Sequence, residues 1–92
     1  MLRITVTENA SEQRWVLQGR LIKECLPELI SAWNASRRQS PDWFRVVNLD
    51  EVTSIDKEGE QVLRRMMEEG TDFVANGLYT KHLLDAIRAD LE

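Results

Sequence analysis

Trp43-Phe44-Arg45-Val46-Val47-Asn48-Leu49 decides the fold. The stretch is aromatic, β-branched and nearly continuous in apolar content, the pattern of a central strand covered on both faces. Ser40-Pro41-Asp42 marks a turn just before it. Upstream, Ile22, Cys25, Leu26, Leu29, Ile30 and Trp33 recur at three- and four-residue spacing. They predict a helix of about four turns beginning near Leu21. Pro27 either belongs to its first turn or bends it. Downstream, a loop separates the strand from a second helical stripe, Val62, Leu63, Met66 and Met67, with Gly70 placed as its left-handed cap. Helices on both sides of a buried strand call for parallel neighbours joined by crossovers.

Leu2-Arg3-Ile4-Thr5-Val6-Thr7 alternates at period two, which predicts a half-buried strand with Leu2, Ile4 and Val6 inward. Glu8 to Gln13 is polar and reads as a turn, and Arg14 to Gly19 as a second strand, so the chain opens with a hairpin. Asp72-Phe73-Val74-Ala75 is a short strand closed by Asn76-Gly77, and Leu83, Leu84, Ile87 and Leu91 mark a last helix. The expected order is β-β-α-β-α-β-α in one α/β domain spanning 1–92. It forms a four-stranded, mostly parallel mixed sheet with three main helices. The first strand lies antiparallel at an edge without shielding, which suggests pairing with another chain, a homodimer included. The glycines are expected at turns, caps or element ends.

Composition narrows the function classes. The chain has 92 residues, 42% hydrophobic and 30% charged, with 12 Lys+Arg against 16 Asp+Glu and a net charge of −4. That is ordinary for one globular domain and too small for a large enzyme. The acidic balance lacks the footprint of a protein that binds phosphate backbones, so no nucleic acid is expected. No apolar run is long enough to span a bilayer, so no membrane insertion is expected. MLRITVTENA has no apolar signal core, and the lone Cys25 forms no internal disulfide; both fit a cytoplasmic protein.

Catalytic parts are scarce. His82 reads as a surface histidine, Cys25 as a core filler, and no phosphate-binding glycine loop is present. No enzyme activity, cofactor or metal is therefore expected. Asp50, Glu51, Asp56, Glu58 and Glu60 form an acidic group. A calcium loop beginning at Asp56 would need its glycine at the sixth position, and Gly59 comes too early. Asp50 resembles a receiver-domain phospho-acceptor only in ending a buried strand, without the acidic pair and the late lysine. Helix capping accounts for three of the carboxylates: Asp56 suits an N-cap, and Glu58 and Glu60 suit the first turn against the helix dipole.

Gly19-Arg20-Leu21, the strand ending Val47-Asn48-Leu49, then Val52-Thr53-Ser54-Ile55-Asp56-Lys57-Glu58-Gly59 and Val62-Leu63 together resemble a STAS domain. That family is named for sulfate transporters and anti-sigma factor antagonists, and the similarity covers almost the whole chain. Of its signature Ile/Met-Asp-Ser-Ser-Gly, Ile55, Asp56 and Gly59 match. The resemblance implies a bacterial, non-enzymatic protein-binding module in transcription regulation, whose partner is an anti-sigma factor or kinase. In the antagonists the second serine is phosphorylated; here that position is Glu58 and the first is Lys57, so the resemblance implies no serine switch at this site. Glu58 either leaves binding constitutive or mimics the modified state. The contact surface expected from this reading is Asp56, Lys57, Glu58, Gln61, Arg64, Arg65 and Glu68; the plain alternative is a solvated face with pairs such as Glu60 to Arg64. Two further readings are an accessory subunit of a lipid or solute transporter and a small-molecule or nucleotide-binding domain. The two first-turn carboxylates disfavour a phosphate. Trp15 and Trp33, if exposed, would add an apolar docking patch.

Overall fold

The expected hairpin forms. A computed structural model of the chain describes residues 1–92. Strand β1 (Leu2–Glu8) pairs antiparallel with β2 (Glu12–Leu21), with a turn tighter than the polar run suggests. The Asn9 N–H bonds to the Glu12 carbonyl as the last rung of the hairpin, and the Asn9 carboxamide oxygen accepts from the Ser11 and Glu12 N–H groups, an Asx-type turn that closes it. A short 3-10 turn (Lys23–Cys25) leads into α1 (Leu26–Gln39), followed by β3 (Phe44–Ile55), α2 (Lys57–Glu68), β4 (Asp72–Val74) and α3 (Leu78–Leu91). The sheet order is β1-β2-β3-β4, with β2–β3 and β3–β4 parallel. The α/β class, the mixed four-stranded sheet and the three helices agree with the sequence reading.

Boundaries differ where local chemistry overrides periodicity. The first helix begins at Leu26, not Leu21, because Pro27 lies in its first turn, where a missing N–H costs nothing. Residues 50–55, expected as a loop, continue β3 to Ile55. They pair with Gln18 to Leu21 of β2 through two register shifts, and Val52 and Ile55 pack against the core. Gly19 lies inside β2 rather than at an element end. Its φ is +109°, and a Cβ there would collide with the Met1 carbonyl oxygen. Gly70 has φ +93° and ends α2 as expected.

Helices cover one face of the sheet only. The core joins Leu26, Leu29 and Trp33 of α1, Leu63 and Met66 of α2, and Leu84 and Ile87 of α3 to Trp15, Leu17, Val47, Leu49 and Phe73 of the strands. The opposite face of β3 carries Phe44, which is 46% exposed, the half-buried Asn48, and Val46, which is buried but outside the core cluster, so no helix layer covers the central strand on that side. Trp15 and Trp33 are buried with ring centroids 4.9 Å apart and form no docking patch. Inside the apolar strand, Arg45 is also buried. Its guanidinium donates to Gln13 Oε1 at 3.1 Å, Ser36 Oγ at 2.9 Å and the carbonyls of Ser36, Ser40 and Trp43, and lies 5.8 Å from the Trp33 ring. This cluster joins β2, β3 and the end of α1.

Candidate functional site

The parallel strands β2 and β3 both deliver their carboxyl ends to the start of α2. Asp56, the residue between β3 and α2, has extended backbone and caps the helix: its Oδ1 accepts from the Gly59 N–H at 2.8 Å. Its Oδ2 accepts from the Lys23 N–H at 2.8 Å, and its own N–H donates to the Leu21 carbonyl at 3.3 Å. One carboxylate thus ties the exit of β2 to the entry of α2. Gly59 lets the helix start sit against β2: a Cβ there would overlap the Leu21 carbonyl oxygen and lie 3.1 Å from its carbon. Gly59 is therefore not at a turn, cap or element end, as the sequence suggested, but within the first turn of α2.

The Gly59 and Lys23 amides hold the Asp56 carboxyl below the usual carboxylate range. A depressed carboxyl stabilises the fold above its unfolded pKa, and that contribution disappears as pH falls through the folded value. Asp56→Asn is therefore expected to lower the urea midpoint at neutral pH. The gap to wild type should close as pH drops below the ordinary carboxylate value, which paired urea titrations at neutral and strongly acidic pH would check.

Lys57, Glu58, Gln61, Arg65 and Glu68 are exposed, so five of the seven expected contact residues lie open on α2. Asp56 is committed to capping. Arg64 is half-buried and pairs with Asp90 of α3 at 3.0 Å, not with Glu60. It fastens two helices rather than standing free. Glu58 and Glu60 occupy the first turn as expected. Asp50 accepts from the Asn76 backbone at 2.7 Å and from its carboxamide at 3.1 Å, binding β3 to the loop after β4. His82 is exposed, and Cys25 is half-buried against the core. No group of three or more His, Cys, Asp or Glu is placed to hold a metal ion.

Two exposed apolar side chains escaped the sequence reading. Leu78 is 83% exposed and Tyr79 65%, in the first turn of α3. That turn follows the carboxyl end of β4, on the same end of the sheet as the α2 start. The signal was available: Thr80, Leu84 and Ile87 form the buried stripe, and Leu78 and Tyr79 fall outside it. A shallow groove opens elsewhere, between α1 and α2, where Ile30, Trp33, Val62, Arg65, Met66 and Glu69 meet. Trp33 donates its indole N–H to Glu69 at 3.0 Å across its floor.

No helix is long and apolar enough to cross a membrane. No family model matches the chain, and no curated protein matches it.

Proposed function

We propose that the chain is a non-catalytic protein-binding module of the STAS type, similar to anti-sigma factor antagonists, in which Glu58 is a fixed negative charge where the antagonists carry a phosphorylatable serine. The observation that carries this reading is the exposed row of Lys57, Glu58, Gln61, Arg65 and Glu68 on a helix whose start is held by Asp56 and Gly59. The backbone beneath this surface is already ordered, so binding costs only the freedom of the side chains, and the charges favour recognition by a charged partner. The exposed Leu78 and Tyr79 at the same end of the sheet would add the apolar contact that interfaces concentrate at their centre. Glu58 supplies one negative charge; phosphoserine would supply about −1.5 to −2. The charge at position 58 is permanent, so binding is not switched by serine phosphorylation there, and the chain acts in the cytoplasm on an anti-sigma-type regulator.

Affinity capture from the source cell, followed by titration of the purified partner, tests this. Glu58→Ser is expected to change partner affinity several-fold with an unchanged unfolding midpoint. Equal affinity in both forms would show that position 58 takes no part. Capture of a transporter ATPase or permease by the same surface would replace the regulatory reading with that of a transporter subunit.

A further inference from the structure

We infer that β1 is a self-pairing edge, through which two copies of this chain join their sheets into one of eight strands. The hydrogen-bond phase of the hairpin carries the inference. The Arg20 N–H donates to the Met1 carbonyl and the Asn9 N–H to the Glu12 carbonyl. Both bonds join residues in the same register as the rest of the hairpin. Odd-numbered residues of β1 therefore bond inward to β2, and Leu2, Ile4, Val6 and Glu8 turn their N–H and C=O groups to the open edge. β1 ends the sheet, with no further strand beyond it. The strand is continuous over seven residues in unbroken register, without Pro or bulge, and its two charged residues, Arg3 and Glu8, stand toward its ends, so the stretch Ile4 to Thr7 carries no edge protection. The other edge is different: β4 has three residues, begins with the exposed Asp72, and runs into a loop held by Asp50.

The occupant is set by self-complementarity. An antiparallel pair must keep each face of the pleat together, and centring it on Thr5 does so. Ile4 then meets Val6 of the second copy on the helix-bearing face, Thr5 meets Thr5, and Arg3 meets Thr7. Glu8 meets Leu2, so no like charges oppose one another. Val6 is 40% exposed in the single chain although it sits on the core-facing side, and this register covers it with an apolar partner. The outward groups of the four even residues pair in about eight backbone hydrogen bonds.

The test is sedimentation equilibrium on the full chain over a range of concentrations, with a cross-link to fix the register. The mass is expected to rise from 10.7 kDa toward twice that value. Val6→Lys places a charge on the core-facing side of the edge, and is expected to stay at the monomer mass at every concentration with an unchanged circular dichroism spectrum. Thr5→Cys in a Cys25→Ala background is expected to form a disulfide-linked dimer under mild oxidation, since directly opposed non-bonded pairs lie about 4.5 Å apart at Cα. Thr7→Cys in the same background is expected not to. If Val6→Lys fails to fold, the cross-link decides alone. A monomer at all concentrations, including one whose edge takes an extended strand from another protein, overturns the inference. So does a dimer that survives Val6→Lys, or one that Thr5→Cys does not trap.

Discussion

Gly59→Ala is expected to destabilise the fold and weaken partner binding together. Two opposite effects meet at this position. In an open helix, alanine is favoured over glycine by about 1 kcal/mol. Here the added methyl would run into the Leu21 carbonyl, a backbone atom of β2, with the Ile55 methyl 3.3 Å away. Neither obstacle is the end of a flexible side chain free to swing aside, so α2 must lift from the sheet. Overpacking of this kind costs roughly 1–3 kcal/mol, which outweighs the propensity gain. Lifting the helix start would also disturb the Asp56 bonds to the Gly59 and Lys23 amides and re-aim Lys57 and Glu58. Thermal unfolding would check the sign. A fall of about 5 °C or more is expected, and a rise would mean that the helix start does not approach β2 closely.

Arg45→Ala is the second large effect. Burial lowers the Arg45 pKa, and the nearby positive Arg37 lowers it further, while Glu69 opposes the shift; the side chain nevertheless stays charged. Its donors satisfy Gln13 Oε1, Ser36 Oγ and three carbonyls at the end of α1 and the turn into β3. Truncation removes the charged donor from all five; Gln13 Oε1 keeps Trp15 and Ser36, and the Ser36 and Ser40 carbonyls keep backbone donors, but the Trp43 carbonyl loses its bond and a hole opens beside Trp33. A loss of roughly 3 kcal/mol is expected, since bonds to charged groups are worth more than neutral ones and the space vacated beside Trp33 adds to the loss. Arg45→Lys would recover little of it, because a single ammonium cannot reach a set of acceptors arranged for a planar fork. Urea unfolding of the three proteins, followed by the fluorescence of Trp15 and Trp33, would check both statements.

The two substitutions mark the limits of what residue order discloses. The alternation of Leu2 to Thr7, the stripe of α2 and the buried run before Leu49 are local patterns, and each led to its element. Asp56 as a cap was equally legible, because capping depends on the next three residues. Its second bond, to Lys23, was not: it depends on β2 ending beside β3, a fact of topology. The same holds for Gly59, whose need to lack a side chain comes from Leu21 across the sheet. Asp50 to Ile55 looked like a loop because polar residues interrupt the apolar run, yet pairing with Gln18 to Leu21 keeps them extended. Arg45 passes unremarked inside the apolar run, although a charged side chain in a buried strand implies acceptors nearby; which ones they are depends on where the end of α1 meets β2. For the binding surface, helical spacing gave the open side of α2 and missed that Arg64 is held by Asp90.

The most direct test of the account is the affinity of the captured partner for wild type and for Glu58→Lys, measured by calorimetric titration beside the unfolding midpoint of each. Glu58 is exposed and has no side-chain partner among the hydrogen bonds of the fold, so reversal of its charge is expected to leave folding nearly intact. Loss of affinity by about tenfold or more is the predicted result, as for a charge that pairs with an opposite charge on the partner. Unchanged affinity with an unchanged midpoint would contradict the claim that the start of α2 is where this chain meets its partner.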